Sequence, residues 1–321
     1  MFFKIIRILK NEGVNGILKR LSSRINMPKE IDVAEQADNT EKTDNTEHKS
    51  PTLSKFDKMT FGINLEGVGL EIGPSHSPLL PKRDGFNVEI LDHANAEELK
   101  KKYAELGIDK EKLNNIEHVD YVWTGDALDE LTNKHDYYDY IVASHVVEHT
   151  PDLISFLSQC EKMLKSGGVL SLAVPDKRYC FDCLRPLSTA GDVMQAYYDK
   201  RTRHTPGTIF DHFSTVAFRN GCHTWYKDDQ SELVFVHSVQ EAMSAVERSR
   251  ASEDYIDVHN WVFIPQSFRL ISYDLKTTGF INLAEEVFFN TEGFEFHVQL
   301  KKDKELDEID RMDYTVQSLN R

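Results

Sequence analysis

The stretch GLEIGPSHSP (residues 69–78) decides the fold, because an apolar strand pattern runs directly into a turn that contains a glycine. Glu71 stands two residues before Gly73 at this junction. Glycine lets the backbone approach a ligand closely, and an acid placed there can hold a cationic amino group. The second and third glycines of a dinucleotide loop are absent, since Pro-Ser-His-Ser (residues 74–77) stands in their place. The stretch predicts a ligand-binding turn or, taken alone, a plain tight turn.

A second acidic residue follows about twenty residues later, where the next apolar run ends in EILDH (residues 89–93). Asp92 is placed to accept hydrogen bonds from both hydroxyls of a ribose, because two carboxylate oxygens match a vicinal diol. The spacing of the two acids is more specific than either acid alone. Further along, VDYVWTGDA offers Asp120 and Asp126 as alternative partners for the exocyclic amine of adenine.

Short apolar runs alternate with helical patterns from residue 65 onward, which indicates repeated β-α units and a mostly parallel sheet. The predicted strands are residues 69–72, 87–91, 118–123, 138–144, 168–174, 280–289 and 293–301. The predicted helices are residues 96–106, 153–164 and 265–278. We therefore expect an α/β fold, a Rossmann-like seven-stranded mostly parallel sheet with helices on both faces and a helical insertion before the last strands.

Composition divides the chain into segments. Residues 1–25 mix aliphatic and basic side chains, which predicts a basic amphipathic helix on an anionic membrane, on a partner or on the protein's own body. Residues 26–60 are polar and predict a disordered linker. The folded domain spans residues 61–302, and its insertion (residues 184–254) is either a lid over the substrate site or a structural cover or dimer surface. Residues 303–321 form a C-terminal tail.

The overall charge and the cysteines exclude several classes of protein. A net charge of -15 argues against binding to nucleic acid, because such proteins neutralise phosphates with Lys and Arg. The four cysteines lack the spacing of a zinc site, so we expect reduced thiols. No run approaches the roughly 20 apolar residues of a membrane span, and no secretory signal is recognisable. We expect a cytoplasmic protein, with a peripheral position at the inner face of the membrane as the alternative that residues 1–25 leave open.

A resemblance to a known family becomes specific at YDYIVASHVVEHTPD (residues 138–152). Combined with LEIG, LD and LKSGGVLSLAVPD, it resembles the class I S-adenosylmethionine-dependent methyltransferases of the type 11 group, over residues 65–179 and more weakly over 258–301. The strings PSHSPLLPKRDGF, VPDKRYCFD and DVHNWVFIPQSF resemble a bacterial branch often associated with surface-polysaccharide assembly. The resemblance implies a methyltransferase domain at residues 61–302, S-adenosylmethionine as cofactor, and a sugar, glycolipid or other small hydroxyl acceptor.

The same resemblance implies roles for individual residues. Glu71 and Gly73 would surround the methionine part of the cofactor, and Ser75 would donate a hydrogen bond to its carboxylate. Asp92 would hold its ribose. The residues that would face the methyl-bearing sulfur are Ser144 and His145.

Methyl transfer also requires a base, because the acceptor must lie about 3 Å from the methyl group and lose a proton. Histidine suits this task, since its pKa lies near neutral pH. The candidates are His145, His149 and His259, and each is alternatively a satisfied buried histidine.

The element HVVEH also resembles the E-x-x-E-H element with which some quinone-pathway and small-RNA methyltransferases hold a divalent metal. A helical turn would bring His145 beside Glu148 and His149. The residues that could complete such a site are His212, His223 and His237. Many type 11 sequences carry E-H here without a metal, so we assign no metal and leave this alternative open.

Four residues after the fifth strand are the candidate substrate-binding residues: Asp176, Lys177, Arg178 and Tyr179. Lys177 and Arg178 could pair with a phosphate or carboxylate of the acceptor, or stand in a solvated loop with a structural salt bridge.

Two other functions compete with methyl transfer. An NAD-dependent nucleotide-sugar oxidoreductase also places an acid after the second strand, but G-x-G-x-x-G is absent and no Y-x-x-x-K pair is suitably placed. The other is a catalytically silent cofactor-binding subunit of a glycan-assembly complex, which residues 1–25 and the linker support. The expected partners are a small-molecule or glycan acceptor and, through residues 1–25, a membrane surface or a glycan-assembly protein.

Overall fold

The computed structural model describes residues 53–252 and 255–319. The helix predicted at residues 1–25 and the predicted linker up to residue 52 lie outside the described residues. Within them, no helix is both long enough and apolar enough to cross a membrane.

The described part of the chain contains these strands, in chain order: β1 Gly69–Ile72, β2 Val88–Asp92, β3 Tyr121–Val122, β4 Tyr138–Ser144, β5 Leu164–Pro175, β6 Ala217–Arg219, β7 Leu233–Phe235, β8 Leu283–Glu292 and β9 Glu295–Lys302. Its α-helices are α1 Lys55–Thr60, α2 Ala96–Glu105, α3 Lys110–Asn114, α4 Leu128–Thr132, α5 Leu153–Met163, α6 Ala190–Tyr198, α7 Pro206–Thr215, α8 Val239–Ala251, α9 Pro265–Thr277 and α10 Arg311–Leu319. Short 3-10 helices lie at Lys82–Asp84, Val147–His149 and Lys177–Tyr179.

Seven of the strands form one sheet in the order β3-β2-β1-β4-β5-β9-β8. The strands β1 to β5 are parallel to one another, and β9 runs antiparallel to both β5 and β8. The predicted Rossmann-like, mostly parallel, seven-stranded sheet is confirmed. Because the first five strands are parallel, the carboxyl ends of β1, β2 and β4 meet at one edge, where ligands bind in such sheets.

Helices cover both faces of the sheet, which explains why its central strands are apolar on both sides. Leu70 and Ile141 belong to the apolar cluster that includes residues of α5 and α9. On the opposite face, Tyr140 packs in a cluster with Met59 of α1, and Ile90 packs with Tyr103 of α2. Asp152 begins α5 by accepting a hydrogen bond from the Ser155 amide.

Two boundaries differ from the prediction near β5. The helix predicted at residues 153–164 ends at Met163, and β5 begins at once with Leu164 rather than at residue 168. The register between β4 and β5 shifts between Tyr138 and Tyr140, so the early part of β5 includes an irregularity that periodicity does not reveal.

The insertion contains α6, α7 and α8, so it is helical as predicted. It also contains β6 and β7, an antiparallel pair that was not predicted. Helices α7 and α8 share an apolar cluster of their own, formed by Ile209, Phe213, Ala242, Ala245, Val246 and Val258. The insertion therefore has a small core separate from that of the sheet.

The linker prediction is wrong for residues 55–60, which form α1. The Ser54 side chain caps this helix, and Met59 is fully buried against the sheet. Burial of Met59, together with the ion pairs Lys55–Glu295 and Lys58–Glu292, holds against the sheet a segment that composition had assigned to disorder. At the other end, the predicted tail includes α10, where Arg311 pairs with Asp274 of α9.

Replacing Met59 with Ala should lower the free energy of unfolding by about 2–5 kcal/mol, because it leaves a cavity between α1 and the sheet. Denaturant titration measures this loss. Met312→Ala is the matched control, since Met312 is 71% exposed and its loss should stay within about 0.5 kcal/mol. Equal stability of the two variants would mean that α1 is not docked.

Candidate active site

The carboxyl ends of β1, β2 and β4 open into a cavity of about 2470 Å³, which the insertion also lines. The predicted cofactor-binding residues that line it are Glu71, Gly73, Ser75, Asp92, Asp126, Ser144 and His145. All three predicted catalytic histidines line it as well. The fold thus brings together residues that lie far apart in the sequence.

The turn after β1 is closely packed at Gly73. Gly73 has φ +71°, and a Cβ there would lie 3.2 Å from Val146 Cγ2. Its backbone amide donates to the Leu91 carbonyl at 2.7 Å. Ser75 also adopts positive φ, and Tyr103 donates a hydrogen bond to its hydroxyl at 2.6 Å. Gly73 lines the cavity, so its backbone borders the space that a ligand would occupy.

Glu71 holds this turn in place. Its two carboxylate oxygens accept hydrogen bonds from the amides of Leu79 and Leu80, at 2.7 and 3.0 Å. Burial raises the pKa of Glu71 to about 7, against the opposing effect of these two hydrogen bonds. The carboxylate is thus engaged by the loop itself, and Glu71 shapes the wall of the cavity by fixing the segment that follows Gly73.

Asp92 is buried at the end of β2 and is surrounded by donors. Its Oδ2 accepts the Ser75 amide at 2.8 Å, and its Oδ1 accepts the His93 amide at 2.7 Å. Burial opposes ionisation of Asp92, but the hydrogen bonds and charge of His93 and the Ser75 amide outweigh it and lower the pKa. The His93 ring, 38% exposed, also contacts Oδ1 and would have to turn away for a sugar hydroxyl to bind there.

The two alternative adenine partners lie in different places. Asp120 does not line the cavity; it accepts the Ile90 amide at 2.6 Å and pairs with Lys82. Asp126 lines the cavity, is exposed, and accepts a hydrogen bond from the Thr124 hydroxyl at 3.0 Å. Only Asp126 of the pair is therefore placed to contact a ligand.

His145 follows β4 with φ +54° and lies between two acids. Its Nε2 is 2.6 Å from Glu295 Oε2, and its Nδ1 is 3.5 Å from Glu148 Oε1. Burial opposes a charge on His145, but the two carboxylates outweigh it and raise its pKa to about 9. The raised pKa favours the protonated form of His145 near neutral pH, which makes this ring less suited to act as a base.

His149 and His259 are oriented by aspartates on the opposite side of each ring. His149 Nδ1 is 2.8 Å from Asp257 Oδ1, and His259 Nδ1 contacts Asp182 Oδ2. Their Nε2 atoms lie 3.8 and 4.0 Å from the same oxygen, Oε1 of Glu148. Sequence reasoning missed both aspartates, because neither is adjacent to its histidine and only the fold brings them into contact.

The four predicted substrate-binding residues do not line the cavity. Asp176 is fully buried. It accepts a hydrogen bond from the Arg178 guanidinium, with Arg178 Nε 2.9 Å from Asp176 Oδ1. Lys177 is buried and donates to the Arg185 carbonyl. Arg178 is thus engaged inside the protein, because the buried Asp176 carboxylate needs a counterion. Residues of the insertion that do line the cavity include Tyr197, Tyr198, Lys200, Arg201, His212, His223 and His237.

A family model described as a methyltransferase domain matches residues 48–229, more than half of the chain. The chain belongs to this methyltransferase family. Its cofactor is S-adenosylmethionine. The cavity fits this cofactor chemically, since it combines an ionised buried carboxylate at the end of β2 with a backbone at Gly73 that a ligand can approach.

Several solved structures are similar to the methyltransferase. A protein provisionally named a Zn-dependent alcohol dehydrogenase from Rhodobacter sphaeroides shares 11% identity over 79% of this chain and 91% of its own, with a TM-score of 0.43. An S-adenosylmethionine dependent methyltransferase from Mesorhizobium loti shares 11% identity over 74% of this chain and 91% of its own, with a TM-score of 0.37. A SAM dependent methyltransferase from Aquifex aeolicus shares 13% identity over 75% and 85%, with a TM-score of 0.36. No curated protein matches the chain in sequence.

Asp92→Ala should weaken the affinity for S-adenosylmethionine by about 1–3 kcal/mol, because charge-assisted hydrogen bonds to the ribose are lost. Calorimetric titration measures the change. Asp120→Asn is the control, since an amide oxygen can still accept the Ile90 amide and the residue lies off the cavity. An unaltered affinity in Asp92→Ala would show that the ribose binds elsewhere.

The raised pKa of Glu71 has a consequence for stability. A carboxyl group whose pKa rises from 4.5 to about 7 on folding stabilises the folded state most below pH 4.5, and this contribution is lost as the pH rises to 7. The free energy of unfolding of the wild type should therefore fall relative to Glu71→Gln over this range, by up to about 3 kcal/mol. Denaturant titrations of both proteins at several pH values test this, and parallel pH profiles would contradict it.

Proposed function

We propose that this methyltransferase transfers a methyl group to a hydroxyl oxygen of a sugar, glycolipid or other small acceptor. The observation that carries the proposal is the continuity of one cavity from Gly73 and Asp92 to the histidines beyond β4. The cofactor and an acceptor would thus share a single space, in which the histidine cluster lies on the acceptor's side.

The size and lining of the cavity support two ligands. Its volume of about 2470 Å³ exceeds the roughly 300–1,000 Å³ of a site for one drug-sized ligand. On the insertion's side, Tyr197 and Tyr198 provide aromatic surface beside Lys200 and Arg201. Aromatic rings with an apolar face and a polar edge, next to cationic side chains, suit a polar acceptor that carries an acidic group.

The acceptor hydroxyl must become a better nucleophile for the reaction to proceed. S-adenosylmethionine, when bound, supplies an electrophilic methyl group on its sulfonium sulfur. His145 does not accept the hydroxyl proton, because its own pKa of about 9 keeps it protonated. We place the activation of the hydroxyl at the point where the Nε2 atoms of His149 and His259 approach Glu148.

The test is a methyl-transfer assay with S-adenosylmethionine labelled on its methyl group and with extracted surface glycans or defined sugars as acceptors. We expect labelled methyl ethers, and one S-adenosylhomocysteine for each methyl group transferred. Asp92→Ala, assayed below saturation, should reduce the labelling in proportion to its lost cofactor affinity, and Asp120→Asn should not.

Other products would decide against this proposal. Label on nitrogen or on a carboxylate would exclude O-methylation as the main reaction. Tight cofactor binding without transfer to any glycan or hydroxyl acceptor would favour the silent subunit of a glycan-assembly complex.

The proposal includes a place for the reaction. Residues 1–25, with their basic and aliphatic composition, would hold the enzyme at the inner face of the membrane or on a glycan-assembly partner. Cosedimentation of the full chain with anionic phospholipid vesicles should fall as salt is raised, since part of the attraction is electrostatic. If the full chain does not bind these vesicles at low salt, binding of a protein partner would remain as the proposed function of residues 1–25.

A further inference from the structure

We propose that Glu148, His149 and His259 bind one divalent transition-metal cation at the wall of the cavity. One oxygen of Glu148 and one ring nitrogen of each histidine all lie within 4.8 Å of one another. Two histidines and one carboxylate are a ligand set that holds zinc or iron and leaves further coordination positions open.

The strongest support is the state of Glu148. This side chain is fully buried, and neither of its oxygens accepts a hydrogen bond from residues 53–252 or 255–319. The Nδ1 atom of His145 lies 3.5 Å away, beyond the range of about 2.7–3.2 Å for such bonds, and that ring already pairs with Glu295. The charged His145 ring compensates the Glu148 carboxylate only in part, because no donor lies within hydrogen-bond range, and a cation bound directly to an oxygen would supply the missing contact.

The two histidines present the correct atom. In each, Nδ1 faces an aspartate, Asp257 for His149 and Asp182 for His259. A proton on Nδ1 that is donated to a carboxylate leaves a lone pair on Nε2, which is the form of imidazole that binds metals. Aspartates in this position are the usual supports of metal-binding histidines.

The arrangement suits a cation better than a shared proton. One proton can join Glu148 to a single histidine, but both Nε2 atoms approach the same oxygen from 3.8 and 4.0 Å. These separations are too long for hydrogen bonds. Two ligand atoms that each lie about 2.1 Å from one ion are roughly 3.4 Å apart in a tetrahedral site, so each histidine nitrogen lies about half an ångström farther from the Glu148 oxygen than it would in such a site.

The location gives the site a function. His149 and His259 both line the cavity, so a cation held by them would border the space that we assign to the acceptor. A hydroxyl bound to the cation has a lowered pKa and gives its proton to water in the cavity. This role rests on the proposed function, whereas the binding of the metal does not.

The experiment uses the full chain without a polyhistidine tag, freed of metal with a chelator and then dialysed. Calorimetric titration with zinc chloride should give one ion per chain. Cobalt(II) should give a visible absorption band of low coordination number, which a nonspecifically bound ion would not.

Variants locate the site. Asp257→Asn should weaken zinc affinity by about 10–100-fold through the loss of support for His149, and Glu148→Gln should weaken it further. His237→Gln is the matched control, because His237 also lines the cavity and its Nε2 has no hydrogen-bond partner within the described residues, yet it is outside the proposed ligand set. Circular dichroism and cofactor titration verify that each variant is folded.

The outcomes separate this inference from the proposed function. No stoichiometric zinc binding by the wild type, or unchanged affinity in folded Glu148→Gln, would overturn the metal site whatever the enzyme methylates. Stoichiometric binding that Glu148→Gln abolishes would establish the site, even if no glycan is methylated.

Discussion

The parallel pairing of β1 between β2 and β4 is the constraint on which the rest of the molecule depends. Ile72 stands opposite Leu91 on one side and Ala143 on the other, so the three strands end at the same level. Asp92 is the next residue along β2, and Ser144 is the next residue along β4. Both residues therefore border one crevice. Strands of opposite direction would have placed these ends at opposite edges of the sheet.

Buried charge attaches the insertion to this sheet. Asp182 lies close to the start of the insertion, and Arg185 pairs with it and donates to the His259 carbonyl. The Asn260 amide in turn donates to the Glu148 carbonyl at 2.6 Å, directly beyond β4. Because these ions and hydrogen bonds are desolvated, removing one partner leaves the charge or polar group of the other buried without compensation. The Asp182 contact that orients His259 thus belongs to the same network that joins the insertion to the sheet.

The histidines near the cavity differ in whether their surroundings favour the charged or the neutral ring. His145 lies between Glu148 and Glu295 and carries a charge, whereas burial lowers the pKa of His212 well below its usual value. Each side chain takes the protonation state that its immediate neighbours stabilise. The histidines of this cavity are therefore chemically heterogeneous, since neighbouring carboxylates favour the charged form of His145 and burial favours the neutral form of His212.

The sequence by itself determined the chain order of the seven strands of the main sheet and of α2, α5 and α9, the acid and glycine at the end of β1, and the aspartate that ends β2. These are local properties: apolar periodicity, turn chemistry and short spacings. Only the tertiary structure decided that Asp126 rather than Asp120 reaches the cavity. It also decided that Arg178 neutralises the buried Asp176 and does not line the cavity. It alone placed the distant acids Asp182, Asp257 and Glu295 against the histidines. Burial and partnership between residues a hundred positions apart arise from packing, and no local pattern encodes them.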